Sequence, residues 1–378
     1  MSVYVDYAAT TPFDKKILEE VVNNAENFGN PSSIHRIGKD AKADLQKYRR
    51  KIAGCINAKP NEIILTSGAT EANNLAIKGI AKEHANPHFI TTDIEHASVR
   101  TTYQDLSEEY DVTFLSAKEN GQIDVEELKS SLKDNTVLVS IMMVNNETGS
   151  MQPVFEIAEV LKGHDALFHV DAVQGFGHMD VDAGNLGADL LTLSGHKIYG
   201  PKGIGLLYLK EGIKLSALMT GGSHELSRRA GTENIMWIQA FSLAMEKAEA
   251  HRSERTIKEM QMKERFINEL IERKIPFEVN GDVNNQTSHI VNVYFDWTEA
   301  EFLLTALDMA GVFVSAGSAC NAGTVQPSHV IQSMYEDEER ALKSIRFSFS
   351  HLMAEEDTTE IAEQLEIIYN RLNKTEMI

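Results

Sequence analysis

A lysine flanked by hydrogen-bonding residues directly follows an apolar segment of the chain. The segment Asp189–Leu193 is predicted as a buried strand, and it runs into Ser194, Gly195, His196 and Lys197 before a loop rich in glycine and proline. A lysine at the end of a buried strand is partly desolvated, which lowers the pKa of its amine and favours Schiff-base formation. An isolated lysine is more often a surface residue whose stem packs on apolar neighbours. Ser194 and His196 favour the chemical interpretation, because both can donate hydrogen bonds to a phosphate.

A carboxylate ends the strand before that one. Asp171 stands in the sequence His169-Val170-Asp171-Ala172-Val173-Gln174. A buried carboxylate is costly unless it is paired, and an isolated one is usually a helix cap or half of an ion pair. Pyridoxal phosphate (PLP) needs an acid that keeps its pyridine nitrogen protonated. Since ligands of open α/β sheets bind at the carboxyl ends of strands, Asp171 and Lys197 together predict a PLP site.

A third segment has the composition of a phosphate site. Thr66-Ser67-Gly68-Ala69-Thr70 joins a predicted strand to a helix, and small residues there let an anion approach the helix N-terminus. An ordinary capped helix start fits Ser67 or Thr70 equally well. The chain has neither a P-loop nor a dinucleotide-binding glycine pattern, so a single phosphate is the simplest interpretation.

The elements that must position these residues alternate along the chain. Between residues 62 and 209, short apolar strands alternate with amphipathic helices, which indicates a mainly parallel sheet covered on both faces. A long helical stretch from about Asn234 to Arg273 then precedes antiparallel-looking strands and further helices. We predict an α/β protein with a large domain over residues 15–250. Residues 1–14 and 251–378 are predicted to form a smaller α+β domain.

Composition limits the classes of function. The 378 residues include 36 basic and 56 acidic ones, a net charge of −20, which disfavours direct binding of nucleic acid. Two cysteines, no secretory signal and no long apolar stretch predict a cytoplasmic protein with no membrane span. The spacing of histidines and cysteines predicts no metal site.

Short segments in order along nearly the whole chain resemble the motifs of the cysteine desulfurases, which are PLP enzymes of the class V aminotransferase-like, fold-type I family. The resemblance implies a seven-stranded, mainly parallel sheet in the large domain. The matching segments are Tyr4–Pro12, Phe28–Ser33, Thr66–Asn74, Glu95–His96, Val144–Gly149, His169–Gln174, Ser194–Gly205, Arg229–Asn234, Ser315–Cys320 and Ile345–Ser348.

The resemblance implies roles around the cofactor ring. It implies that Lys197 carries PLP as a Schiff base, that Asp171 pairs with the pyridine nitrogen and that Gln174 bonds the phenolic oxygen. It also implies that His96 stacks on the ring and moves protons, and that Asn146 lies beside the ring.

Phosphate and substrate contacts are implied in the same way. Arg346 is expected to take the substrate carboxylate, with Asn146 and Asn30 as further substrate contacts. The residues implied for the phosphate are Ala69, Thr70, Ser194, His196 and, from the second subunit of a homodimer, Thr232.

One of the two cysteines is the expected sulfur acceptor. Cys320 lies among small polar residues between Gly317 and Gly323, whereas Cys55 fits a buried, inert thiol. The resemblance implies that the freed Lys197 removes the Cα proton of L-cysteine and that the Cys320 thiolate attacks its sulfur, leaving a persulfide and alanine. His96 is the expected acid or base near the thiol.

Other functions stay open. A PLP transaminase or selenocysteine lyase of the same fold would not need this use of Cys320, and a non-catalytic scaffold would keep only the fold. The chain ends soon after its last predicted helix, and we expect it to lack the C-terminal extension with which housekeeping members dock an iron–sulfur scaffold. The sulfur-acceptor protein is therefore either such a scaffold or a transfer-RNA thiolase.

Overall fold

The computed structural model describes residues 2–26, 28–317 and 326–375, and its largest element is a seven-stranded sheet. In chain order the strands of the described residues are β1 (Val3–Tyr4), β2 (Ile63–Thr66), β3 (His88–Thr92), β4 (Asp111–Leu115), β5 (Thr136–Met142), β6 (Leu167–Asp171), β7 (Leu190–Ser194), β8 (Gly205–Leu209), β9 (Glu278–Val279), β10 (Ile290–Tyr294), β11 (Val312–Phe313) and β12 (Ser344–Ser348). The large sheet has the order β2-β8-β7-β6-β5-β3-β4, which confirms the predicted α/β class.

Only β8 runs against the other strands of this sheet. Every residue of β3, β7 and β8 is buried, as expected for strands that helices cover on both faces. Asp171, the last residue of β6, pairs in register with Thr192 of β7. The parallel register therefore brings Asp171 and the end of β7 to the same edge, as the sequence predicted.

Helices cover the sheet on its two faces. In chain order they are α1 (Lys15–Asn23), α2 (Arg36–Gly54), α3 (Ala69–Ala81), α4 (Ala97–Leu106), α5 (Val125–Ser131), α6 (Val154–Leu161), α7 (Ile235–Ala250), α8 (Arg252–Glu272), α9 (Ala300–Met309), α10 (His329–Tyr335), α11 (Glu338–Leu342) and α12 (Glu355–Thr375). Residues of α1, α2, α6 and α7 share one hydrophobic cluster with the sheet, and residues of α3 and α4 share another. No helix in these described ranges combines the length and the apolar character that a membrane span needs.

A separate hydrophobic cluster forms around a smaller sheet of order β12-β10-β9. Residues of α8, α9 and α12 pack into it, and so do Val3 and Val5. The N-terminal β1 pairs with β11, which ties the first residues to this second cluster. The two clusters support the predicted division into domains, which stays a proposal.

The long helical stretch predicted from about Asn234 to Arg273 consists of two helices, α7 and α8, which are separated at His251. Its backbone there has φ −110° and ψ 11°, so α7 ends and α8 begins on either side of it. No proline or glycine marks the break. It occurs where the chain passes between two cores, since α7 packs against α1 and α2 whereas α8 packs against α12.

Candidate active site

A cavity of about 540 Å³ lies at the carboxyl ends of the central strands. Met142, Asp171 and Ser194, the last residues of β5, β6 and β7, all line it. The predicted site residues that line it are Ala69, Thr70, His96, Asn146, Asp171, Gln174, Ser194, His196, Lys197 and Arg346. Residues far apart in the sequence therefore converge on one cavity.

Lys197 ends a short 3₁₀ turn, Gly195–Lys197, that follows β7. Its Nζ donates hydrogen bonds to the carbonyl oxygens of Ala8 at 2.5 Å and Ala9 at 2.8 Å. Burial lowers the pKa of the amine to about 8, and the nearby positive charge of Arg346 acts in the same direction. About one tenth of this amine is therefore unprotonated at pH 7, and the unprotonated amine is the form that attacks a carbonyl.

A buried hydrogen-bonded chain runs from Asp171 to His96. The Asp171 carboxylate accepts from Asn73 Nδ2 at 2.8 Å and from the Val173 N–H at 3.0 Å. Asn73 Nδ2 also donates to Ser98 Oγ at 2.9 Å, and Ser98 Oγ lies 2.8 Å from His96 Nδ1. Three hydrogen bonds through the side chains of Asn73 and Ser98 thus connect Asp171 to His96.

His96 caps the N-terminus of α4, where its Nδ1 accepts from the Ser98 N–H at 3.1 Å. Burial lowers the pKa of His96, although the nearby Asp171 opposes the shift. Because Nδ1 is an acceptor, the proton of the neutral ring is on Nε2.

Gln174 is buried and fixed from two sides. Its Nε2 donates to the Ala8 carbonyl at 2.9 Å, and its Oε1 lies 3.2 Å from His289 Nε2. The first residues of the chain therefore hold both Lys197 and Gln174 through backbone carbonyls.

The start of α3 forms a cup suited to an anion. Gly68, with φ +153°, turns the chain into the helix, and the N–H groups of Ala69 and Thr70 belong to the first turn, where intrahelical partners are absent. Ser194 and His196 line the same cavity. Burial lowers the pKa of His196 to about 4, so its ring is neutral near pH 7 and acts as a hydrogen-bonding group.

Arg346 approaches the cavity from β12. Its Nη2 pairs with Asp6 Oδ1 at 2.7 Å, and its Nη1 donates to the Asn146 carbonyl at 2.8 Å. The buried Nε has no hydrogen-bond partner among the described residues. A buried guanidinium with a free donor can bind a carboxylate.

Comparisons with known proteins agree with this geometry. Residues 3–361 match the family model described as aminotransferase class-V. The chain belongs to this family. Cysteine desulfurase IscS of Dictyoglomus turgidum is 40% identical over 374 residues, covering 98% of this chain and 95% of that one.

Two solved structures share this fold. A NifS-like protein has a TM-score of 0.92 at 32% identity, covering 98% of this chain and all of its own. The structure titled SspA in complex with cysteine has a TM-score of 0.81 at 35% identity, covering 92% of this chain and 99% of that one.

Class-V aminotransferase family members are PLP-dependent enzymes, and this chain is one of them. The described side chains fit the cofactor. An amine of lowered pKa, a fixed carboxylate at a strand end and a helix N-terminus match the aldehyde, the pyridine nitrogen and the phosphate of PLP, respectively.

Two predicted site residues, Thr232 and Asn30, do not line the cavity, and a third, Cys320, lies outside the described residues. Thr232 is exposed, and Asn30 is exposed with its Oδ1 accepting from the Ser32 N–H at 2.8 Å. Cys55, to which the sequence assigned no role, is partly buried at the end of α2, where burial raises the pKa of its thiol to about 12.

The sequence did not single out several residues that complete the site. Asn73 lies within a motif that did match, yet its bond to Asp171 could not be read from that motif. The carbonyls of Ala8 and Ala9 act through the backbone, so no side-chain type indicates them. Glu147, which is fully buried, lines the cavity through a motif that indicated only its neighbour Asn146.

Proposed function

We propose that the protein is a cysteine desulfurase in which Lys197 holds PLP and Cys320 receives the sulfur of L-cysteine. The observation that carries this proposal is the convergence of Lys197, Asp171 and Arg346 on one cavity. Relatives named as cysteine desulfurases cover nearly the whole chain, and a related structure contains cysteine. Both support the choice of substrate.

The cofactor, when bound, supplies an electron sink that stabilises negative charge at Cα of the substrate. Asp171, held by Asn73, keeps a proton on the pyridine nitrogen. Gln174 donates an N–H to the phenolic oxygen. Ala69, Thr70, Ser194 and His196 bind the phosphate, while Asn146 and His96 lie against the ring.

Arg346 binds the carboxylate of L-cysteine. Asp6 and the Asn146 carbonyl already fix its guanidinium, so little conformational entropy is lost when the substrate arrives. The Lys197 amine, which lines the cavity and has a lowered pKa, would act as the base that removes the Cα proton of the substrate.

The sulfur moves from the substrate to the protein. The Cys320 thiolate attacks the substrate sulfur, an S–S bond forms, and the C–S bond breaks with its electrons returning to the carbon skeleton. L-cysteine and the Cys320 thiol thus become L-alanine and a Cys320 persulfide, with no external oxidant. His96 supplies or accepts the proton near the thiol.

A homodimer would complete the phosphate site with Thr232. The loop before Thr232 and the segment after Asn30 both line a surface recess of about 740 Å³. Apolar side chains are exposed nearby, with Phe28 at 80%, Ile34 at 90% and Leu226 at 63% exposure. Such exposure is typical of a surface that another subunit covers.

The persulfide would pass to a sulfur-acceptor protein in the cytoplasm, either an iron–sulfur scaffold or a transfer-RNA thiolase. The acidic net charge of −20 favours a basic acceptor and disfavours direct contact with nucleic acid.

The cofactor assignment is tested with Lys197→Ala. This variant is expected to lose the visible absorbance of the covalently bound cofactor and all sulfur release from L-cysteine. Lys202→Ala is the matched control, because Lys202 also lines the cavity, and it should keep the absorbance. An unchanged spectrum in Lys197→Ala would disprove the assignment.

The sulfur acceptor is tested with Cys320→Ala against Cys55→Ala. Only Cys320→Ala should abolish the protein persulfide, detected by alkylation and mass spectrometry after incubation with L-cysteine. Amino transfer to a keto acid without persulfide formation in the native protein would instead favour a transaminase.

A further inference from the structure

Three side chains meet behind Gln174, away from the cavity, and of these His178 is partly buried whereas Glu259 and His289 are buried. His178 follows β6, Glu259 belongs to α8 and His289 immediately precedes β10. Their nitrogen and oxygen atoms lie within 4.8 Å of one another. The cluster therefore connects the segment after β6 of the large sheet to α8 and β10 of the second core, and no sequence motif indicated it.

The contacts of this cluster describe a hydrogen-bonded network rather than a metal site. Both nitrogens of His289 already have partners, Thr287 Oγ1 at 3.0 Å and Gln174 Oε1 at 3.2 Å. The positive charge of Lys263 also acts on His289, which disfavours a cation there.

The direction of each hydrogen bond follows from Gln174. The Ala8 carbonyl can only accept, so the amide nitrogen of Gln174 faces Ala8 and its oxygen faces His289. His289 Nε2 must then carry a proton. Burial moves the pKa of His289 well below its usual value, so the ring is neutral and its Nδ1 accepts from the Thr287 hydroxyl.

The His289 ring is itself held in place. The ring of His178 stacks on it with centroids 3.5 Å apart and an interplanar angle of 9°. His178 Nδ1 donates to Glu259 Oε2 at 2.8 Å, and Ser288 Oγ donates to the same oxygen at 3.1 Å. The backbone carbonyl of His289 accepts from the Phe349 N–H at 2.8 Å.

We propose that His289 is a positioning residue of the cofactor site, which fixes the Gln174 amide so that its remaining N–H is available to the phenolic oxygen of PLP. His178 and Glu259 act one step further away by fixing the His289 ring. This inference rests on the proposed role of Gln174 in binding the cofactor.

The test measures the pH midpoint at which the absorbance of the bound cofactor changes. A donor to the phenolic oxygen stabilises its negative charge and lowers that midpoint. His289→Phe keeps a ring for stacking but removes the donor to Gln174. Loss of one hydrogen bond should change the proton affinity by about two- to tenfold, which raises the midpoint by roughly 0.3–1 pH unit.

Further variants make the result specific. His289→Gln retains an N–H donor and should restore most of the native midpoint. In the background of Gln174→Ala, which should itself raise the midpoint, His289→Phe should have no additional effect. Thermal unfolding shows whether each variant is folded. If His289→Phe does not fold, His289→Leu replaces it, because leucine also lacks a donor to Gln174.

The variants at position 289 leave the charged and titratable groups around that position unchanged. The charged and titratable groups that act on His289 or on its partner ring include His178, Glu259, Lys263, Arg346, Lys197 and His351. A midpoint unaffected by His289→Phe, or an equal shift with and without Gln174, would overturn the inference. A native protein without cofactor absorbance would instead disprove the proposed function, so the two failures are distinguishable.

Discussion

Lys197 in the candidate site and the buried Glu95, which directly precedes His96 in the chain, have pKa values far from their ordinary ones. Lys197 is an amine whose pKa falls to about 8, and Glu95 is a carboxyl group whose pKa rises to about 8. Burial is the main cause in both cases, because a charged group loses hydration in the interior. The two residues lead to different measurements, one on chemistry and one on stability.

Lys197 should make cofactor uptake dependent on pH. Only the unprotonated amine reacts, so the rate at which apoprotein incorporates PLP should rise about tenfold per pH unit below about 8 and level off above it. Arg346→Gln should move this midpoint upward, because it removes a positive charge that lowers the pKa of Lys197 and leaves Asp6 unpaired. A rate that is flat between pH 6 and about 9 would contradict this.

Glu95 should make the stability of the fold fall with rising pH. Its Oε1 accepts from Thr92 Oγ1 and from the Met142 N–H, each at 2.9 Å, while its buried Oε2 has no partner among the described residues. The folded state therefore keeps a proton that the unfolded chain releases above about pH 4.3. From there to about pH 8, this group lowers the free energy of unfolding as pH rises.

Glu95→Gln keeps the acceptor oxygen and removes this titration. The free energy of unfolding of the variant relative to the native protein should therefore increase by up to about 1.4 kcal/mol per pH unit between about pH 5 and 8. Urea unfolding at several pH values measures it, with the exposed Glu127→Gln as control. Parallel pH profiles for the native protein and Glu95→Gln would show that Glu95 is ionised in the fold.

At the scale of elements, the junction of β2 and α3 depends on one backbone conformation. Gly68 has φ +153°, and a Cβ atom placed there would meet nothing within 4 Å. An alanine would thus be penalised by backbone strain alone, since there is no steric contact to relieve. The turn is what presents the first N–H groups of α3 to the cavity.

Gly68→Ala should lower the free energy of unfolding by about 1–3 kcal/mol and weaken PLP binding. Gly54→Ala is the matched control, because Gly54 ends a helix and also has open space around it. That control should be neutral or slightly stabilising. Equal unfolding midpoints and equal cofactor affinities for the two variants would contradict a strained turn.

The turn at residues 225–227 is a second element with a strained backbone. Glu225, Leu226 and Ser227 have φ values of 47°, 58° and 65°, which are unfavourable for residues other than glycine. The buried carboxylate of Glu225 compensates by pairing with Arg49 at 2.5 Å and accepting from the Leu65 N–H at 3.0 Å. This anchor fixes the start of the loop that leads to Thr232.

At the scale of the whole molecule, the site is incomplete within one chain if Thr232 comes from a second subunit. Arg229, three residues before Thr232, pairs with Glu71 of α3 at 2.8 Å. The loop thus lies beside the phosphate cup, although Thr232 itself is exposed and does not line the cavity.

Mixed dimers test this arrangement. Thr232→Ala alone should bind PLP more weakly, and Lys197→Ala should not bind it covalently. When the two variants are coexpressed, each mixed dimer should contain one site with a native Lys197 and a partner's native Thr232, and that site should regain native cofactor affinity. If Thr232 acted within its own chain, no tight site would appear.

Much of the fold and of the site followed from the sequence. Alternating apolar strands and amphipathic helices predicted the parallel sheet, because a strand covered on both faces must be apolar throughout. The positions of Asp171 and Lys197 after consecutive strands predicted that they would share one edge. These features are local, so residue types and spacing were sufficient to indicate them.

Only the tertiary structure decided the contacts between distant segments. The break at His251, the carbonyls of Ala8 and Ala9 at Lys197, and the stacked rings of His178 and His289 depend on how two cores pack together. Such contacts join residues far apart in the chain, often through backbone atoms that every residue possesses. The sequence by itself therefore determined which side chains could do the chemistry, and packing decided which groups hold them.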